Sequence, residues 1–288
     1  MKKVLIIGIK GMAGHMLFNT LPIFGEYEIY GLARNVKATD RIFNIDVSET
    51  ALLVELLKNM SFDVVVNCIG ILNKDAEDNP SKAIWFNSYF PHFLEEITKN
   101  TLTKVVHIST DCVFSGAKGN YSESDKKDGV GFYAQSKALG EIDNSKDVTI
   151  RTSIIGPELN RNGIGLFHWF MNQSETSILK GYSKAYWSGI TTYELAKVVN
   201  AIISQKITGL IQVSFKDKID KFSLLRLFNR IYKGNRMEIS EYDGYKVDKS
   251  LRSIRNDFEY IVPSYEQMLL DQYNWLIENE SLYEYKLG

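Results

Sequence analysis

The sequence predicts an α/β fold: a doubly wound parallel sheet carrying a smaller C-terminal lobe. Three observations predict it. Short, fully apolar runs alternate with helical patterns through the first half of the chain, which is the rhythm of right-handed βαβ crossovers. The first run ends at once in a glycine-rich turn. Beyond about residue 151 the alternation loosens into aromatic-rich, irregular stretches, as insertions over the strand ends of an open sheet do.

Residues 4–7, Val-Leu-Ile-Ile, are the first strand. With Met1-Lys2-Lys3 ahead of it, the run mimics an export signal, but it stops at Gly8 and meets Lys10. That is too short for a signal core or a bilayer helix, and it reads as a buried parallel strand. A helix is expected over 12–21 and a second strand over 28–32. Residues 49–60 follow as a helix, with Leu52, Leu53, Leu56 and Leu57 on one stripe. A third strand over 63–68, a helix over 82–99, a fourth strand over 104–108, a helix over 133–142 and a fifth strand over 148–150 continue the series. A helix over 192–204 and a strand over 210–214 return to the sheet, and helices near 222–232 and 264–278 finish the chain. Residues 1–151 with about 188–215 thus read as the sheet domain, and about 152–187 with 216–288 as the lobe.

Composition excludes several classes. A 44% apolar share with 24% charged residues is globular. Thirty-four Lys and Arg against 35 Asp and Glu give a net charge of -1, so no bulk positive field favours nucleic acid. Cys68 and Cys112 form neither a disulfide framework nor a metal-site spacing. No metal, no membrane association and a cytoplasmic location are the expectations.

The turn after the first strand reads Gly8-Ile9-Lys10-Gly11-Met12-Ala13-Gly14. Gly8 permits the tight turn, Gly11 lets backbone approach a pyrophosphate, and Gly14 lets the helix pack against the strand. The anion then rests on free N–H groups at the positive end of the helix dipole. This predicts a Rossmann-type dinucleotide site. Met12, Val47 and the loop Cys68-Ile69-Gly70 are expected to line it. The tip of the second strand has Arg34 and no carboxylate, which suits a 2′-phosphate and favours NADP(H) over NAD. Asp46 either closes a loop beside the adenine or caps the following helix.

Tyr133 and Lys137 stand four residues apart, on one face of a helix. A phenol can protonate the alkoxide formed by hydride transfer, and a neighbouring ammonium is expected to lower its pKa toward neutrality. The same spacing recurs at Tyr193/Lys197, Tyr242/Lys246 and Tyr245/Lys249, so position decides. Tyr133 follows the fourth strand, which ends in Ser109-Thr110-Asp111, where a hydroxyl can bond a substrate carbonyl and the tyrosine together.

These residues resemble the extended short-chain dehydrogenase/reductases, and within them the dTDP-4-dehydrorhamnose reductase group. The carrying motifs are the three glycines, Val66-Asn67, Phe86-Asn87, and Ser109 through Gly116. Tyr121-x-Glu123-x-Asp125, Tyr133-x-x-x-Lys137-x-x-Gly140-Glu141 and Ile150-Arg151-Thr152-Ser153 continue them. The match is dense over about residues 1–160 and thinner afterwards. It implies reduction of a nucleotide-linked 4-keto-6-deoxy sugar by NADPH for surface polysaccharide. Thr110 would position the keto group, Tyr133 would supply the proton, and Lys137 would hold the nicotinamide ribose. Asp111, Cys112, Asn87 and Trp187 are expected on the substrate side, with Asn87 also ordering the catalytic helix. Related dehydratases carry an Asp-Glu pair where this chain has Asp111-Cys112, so elimination is disfavoured. Ile154 departs from the tryptophan usual in rhamnose-forming members.

Trp169, Tyr182, Tyr186 and Trp187 either stack on a base or sugar or form lobe core. Arg252 and Arg255 with Lys249 either clamp a diphosphate or form a solvated face. The alternatives are a nucleotide-sugar epimerase or epimerase-reductase of the same superfamily, and a silent dinucleotide-binding regulatory subunit. A homodimer is possible.

Overall fold

The computed structural model describes residues 1–287. The first half winds as β1 (Lys2–Ile7), α1 (Met12–Phe24), β2 (Tyr27–Ala33), β3 (Ile42–Asn44), α2 (Thr50–Met60) and β4 (Val64–Asn67). Then come α3 (Asn73–Asp78), α4 (Pro80–Ala83), a π-helical turn over Ile84–Tyr89, α5 (Phe90–Thr98), β5 (Lys104–Thr110), α6 (Gly131–Leu139) and β6 (Val148–Thr152). The second half holds β7 (Ile154–Ile155), α7 (Leu166–Met171), β8 (Ile178–Tyr182), β9 (Ala185–Trp187), β10 (Ile190–Thr191), α8 (Thr192–Ser204) and β11 (Gly209–Gln212). It closes with β12 (Ile219–Asp220), α9 (Lys221–Tyr232), β13 (Glu238–Tyr242), β14 (Val247–Asp248) and α10 (Tyr265–Glu278).

Seven strands form one parallel sheet in the order β11-β6-β5-β4-β1-β2-β3. The chain leaves β1 in one direction for β2 and β3, then crosses to β4 on its other side. The glycine turn therefore sits at the topological switch point, where open α/β sheets bind ligands. Strand β1 shows why the sheet is buried on both faces. Val4 and Ile6 point into one core with Met16 and Leu17 of α1 and Val199 of α8. Leu5 and Ile7 point into the other with Leu53, Phe90 and Leu94. The doubly wound sheet is as the sequence predicts.

Two differences have physical causes. The edge strand β3 is too short and half-exposed for its apolar pattern to register. The helix expected over 82–99 is broken into α4, a π-helical turn and α5. Pro91 lacks the N–H that would reach Asn87 four residues back. The register slips instead, so that Phe90 N–H bonds the Trp85 carbonyl five residues back. The freed Asn87 carbonyl lies so close to α6 that a Cβ on Gly140 would meet it at 1.8 Å.

The later segments build the lobe from small sheets. Strand β8 pairs with β13, while β9 pairs with β12 and β14. Its core is continuous with the α1–α8 face of the main sheet through Phe167, Phe170, Leu224, Phe228, Tyr232 and Trp275. No helix among the described residues is long and apolar enough to cross a membrane.

Candidate active site

The glycine turn is shaped by what a side chain would strike. Gly8 has φ +94°, a left-handed conformation, and a Cβ on Gly14 would lie 2.2 Å from the Gly8 carbonyl oxygen. Helix α1 therefore packs directly on the turn. At Gly11 a Cβ would meet only the Gly8 carbonyl, at 3.4 Å, and otherwise face open cleft. Helix α1 has no side-chain cap at this end, so its first N–H groups point into that space.

A cavity of about 410 Å³ opens there, lined by Gly8, Gly11, Arg34, Asp46, Val47, Cys68, Ile69 and Gly70. Lys10 and Lys82, to which the sequence assigned no role in the site, add two cations to it. Arg34 lies 3.4 Å from Asp46. The other Asp46 oxygen accepts from the Ser48 amide at 3.0 Å and hydroxyl at 2.8 Å. Asp46 thus lines the cavity and also holds the turn ahead of α2.

An adjoining cavity of about 300 Å³ shares Gly11, Cys68, Ile69 and Gly70, and adds Met12, Thr110, Asp111, Cys112, Tyr133 and Lys137. A third, of about 650 Å³, shares Asp111, Cys112 and Ser153 with it and runs into the lobe. The three form one cleft along the C-terminal ends of the strands. Gly11, Met12, Thr110, Tyr133 and Lys137 come together at its centre, while Gly8 lines the first cavity and Gly14 lies beneath, against the Gly8 carbonyl.

Tyr133 is placed by the start of α6. The Glu77 carboxylate of α3 accepts the backbone N–H groups of Phe132 at 3.0 Å and Tyr133 at 3.1 Å. This is a charge-assisted cap on α6, supplied from outside it. Thr110 lies beside the Tyr133 phenol and acts to lower its pKa. Thr110 Oγ1 also accepts the Cys112 amide at 3.1 Å and lies 3.2 Å from an Asp111 oxygen.

One expectation is corrected here. Burial pushes the Tyr133 phenol above its ordinary value, helped by Cys112 and Asp111. Lys137 is not among the groups that act on the phenol; its Nζ donates to the Ile108 carbonyl at 2.7 Å and lies 3.3 Å from His107. Burial also pushes Lys137 down to about 8. The same desolvation raises the Cys68 thiol to about 12 and Cys112 to about 11, so neither is a nucleophile at neutral pH.

Asn87 is a second correction. It is fully buried and does not line the substrate cavity. Its amide accepts from Ile71 N–H at 2.8 Å and donates to the Ile71 carbonyl at 2.9 Å and to Ser136 Oγ at 3.0 Å. It therefore ties the loop after β4 to α6. Ser109 turns its hydroxyl to Glu141 at 2.8 Å, within the buried Glu141–Arg151 pair.

The lobe cavity holds all four aromatics singled out above: Trp169, Tyr182, Tyr186 and Trp187. Trp187 is buried as well as lining. Of the three cations suggested for a diphosphate, only Lys249 lies here. Arg255 is tied to Asp257 and to the Thr208 and Leu210 carbonyls, and Arg252 borders a separate hollow. In their place stand Lys180 and Lys221, which sequence reasoning missed. Lys180 sits on an outward position of β8 and Lys221 opens α9, and no local pattern marks either. Lys221 and Lys249 both face Asp111, whose burial pushes its carboxyl up. Among the described residues no group of three or more His, Cys, Asp or Glu is placed to hold a metal.

Comparison with known proteins gives the family and the fold. A probable low-salt glycan biosynthesis reductase, Agl14, of Haloferax volcanii is 30% identical over 139 residues, 47% of this chain and 46% of that protein. The dTDP-4-dehydrorhamnose reductase of Burkholderia thailandensis is 32% identical over 142 residues, 49% of this chain and 44% of its own. The chain thus spans about half the length of the curated relatives it matches. The fold is shared with the dTDP-4-dehydrorhamnose reductase of Bacillus anthracis solved in complex with NADP, at a TM-score of 0.80 and 19% identity over 96% of this chain and 99% of that one. The RmlD substrate binding domain model matches residues 1–215. Three quarters of the sequence, the glycine turn and the Thr110–Tyr133–Lys137 wall included, lie inside that match, and the chain belongs to the RmlD substrate binding domain family.

Proposed function

We propose that the chain is an NADPH-dependent reductase of the keto group of a nucleotide-linked 4-keto-6-deoxy sugar, serving the synthesis of surface-polysaccharide precursors. The observation that carries this reading is the shared wall. Thr110, Tyr133 and Lys137 line the cavity that joins the glycine turn to the lysine- and aromatic-lined pocket of the lobe. The relatives named as reductases of dehydrorhamnose or glycans support the same class.

The open space over Gly11, the uncapped start of α1, and the cations Lys10, Arg34 and Lys82 fit a dinucleotide with an extra phosphate. When bound, NADPH supplies the hydride. Thr110 holds the carbonyl oxygen, and Tyr133 delivers its proton to that oxygen as charge develops there. Burial keeps the phenol protonated at neutral pH, which is the form a donor needs. Lys137, on the same face of α6, would hold the nicotinamide ribose. Lys180, Lys221 and Lys249 hold the diphosphate, and Tyr182, Tyr186, Trp169 and Trp187 offer stacking faces to base and sugar. In this division residues 1–151 with about 188–215 serve the cofactor and the rest serve the sugar. Cys112 leaves the site without a second acid beside Asp111, so elimination of water is disfavoured.

The test is NADPH oxidation, followed by its absorbance, against a panel of 4-keto nucleotide sugars. Net consumption with at least one of them is expected. Binding of NADPH without net oxidation by any would favour an epimerase or a silent binding protein.

A further inference from the structure

The buried histidine of β5 is not used by the reading above, yet it touches the catalytic lysine. Asn67, at the end of β4, accepts the Ile69 amide on its side-chain oxygen at 3.1 Å. That contact fixes which end of the amide faces β5. The Nδ2 group, a donor only, lies 3.1 Å from His107 Nδ1. Nδ1 is therefore the bare nitrogen, and the single proton of a neutral ring sits on Nε2. Asn67 and His107 are both fully buried, which holds the ring neutral: burial and the nearby Lys137 push His107 well below its ordinary value.

His107 Nε2 lies 3.3 Å from Lys137 Nζ. An ammonium has three N–H donors and no lone pair, so two donors would face each other across that gap. An unprotonated amine accepts the Nε2–H and still donates to the Ile108 carbonyl.

We propose that His107 is a positioning residue that acts on the chemistry through Lys137: Asn67 locks it as the Nε2–H tautomer, whose N–H matches the unprotonated amine and opposes the ammonium. The inference rests on the reading of Lys137 as the lysine of the site. Burial already moves Lys137 to about 8, and the locked tautomer pushes in the same direction. The other groups facing Lys137 are the Glu141 carboxylate beyond α6, which favours the ammonium, and Cys68 beyond β4, which does so only as a thiolate. Glu141 is shared with Arg151 and Lys127. Tyr133 stands one turn earlier on α6, and His92 of α5 acts on His107 by charge alone. The arrangement places the titration of Lys137, and not that of the phenol, closest to neutral pH.

The test needs no substrate. In the full-length ¹⁵N-labelled protein, long-range ¹H–¹⁵N spectra distinguish the two imidazole tautomers, with His107→Phe assigning the signal among the four histidines. The Nε2–H form is expected from pH 6 to 9. Asn67→Asp turns the neighbour into an acceptor, which should move the proton to Nδ1 and raise the Lys137 midpoint, read from its side-chain carbon shifts, by about one pH unit. Repeating Asn67→Asp in a His107→Phe background separates the tautomer from the added charge, and the rise should then be largely lost. An Nδ1–H or imidazolium signal in the parent protein overturns the proposal, as does a rise that survives without His107. A failure here leaves the NADPH oxidation test unaffected, and failure of that test leaves the tautomer intact.

Discussion

The two ends of the cleft are built in different ways. Around the glycine turn the wall is backbone and small apolar side chains at the ends of regular strands, packed so tightly that Gly14 has no room for a methyl group. In the lobe the wall is three lysines and several aromatics, collected from β8, β9, α9 and the stretch around Val247 to Lys249. The first end is fixed by close backbone packing. The second presents charge and ring faces on long side chains, and different residues could present the same chemistry.

The largest effect should fall where the two ends meet. Tyr133→Phe removes the proton donor while keeping the ring, and turnover should fall about 10²–10⁴-fold with NADPH binding nearly unchanged. Undiminished turnover would remove Tyr133 from the chemistry. At the rigid end, Gly14→Val drives a side chain into the Gly8 carbonyl. It should cost roughly 1–3 kcal/mol of stability and abolish NADPH binding, both measurable by thermal unfolding with and without cofactor. At the adaptable end, Lys221→Met and Lys249→Met should each raise KM for the sugar about tenfold, equal to about 1.4 kcal/mol, with the NADPH dissociation constant unmoved. If NADPH affinity fell equally, the two ends would not be separate recognition sites.

The smallest effect is a pH dependence of stability. Lys137 is buried and its pKa falls from 10.5 to about 8. The unfolded chain therefore binds more protons than the folded one between those values, and stability should rise with pH across that window. Lys104, also lowered to about 8, adds in the same direction, while Cys68 and Cys112, raised to about 12 and 11, offset part of the rise toward pH 9.5. Denaturant unfolding at pH 7.5 and 9.5 reads the sign. A flat or falling stability would mean that Lys137 is not held in a desolvated place.

Much of the rigid end could be read before folding. Gly8, Gly11 and Gly14 are a contiguous pattern, and Thr110, Tyr133 and Lys137 follow their strand and helix in an order that local spacing displays. Arg34 and Asp46 also line the cavity as the sequence suggests. The errors concern groups whose role depends on a partner far along the chain. Asn87 was expected near substrate, but the π-helical turn forced by Pro91 buries it against Ile71 and Ser136. Arg255 was a possible phosphate clamp, but Asp257 and two carbonyls take up its guanidinium.

Short-range order thus settles the sheet, its switch point and the glycine cradle, because strands, turns and helix starts depend on neighbours within a few residues. What sits around the reacting groups depends on distance in three dimensions. Glu77 caps α6 across 55 residues, and Asn67 fixes His107 across 40. The lysines of the lobe come from segments about 70 residues apart. Desolvation and hydrogen-bond direction arise only once such segments pack. In place of an acidic tyrosine beside an ammonium, the packed chain has a phenol pushed up by burial and a lysine pushed down to about 8.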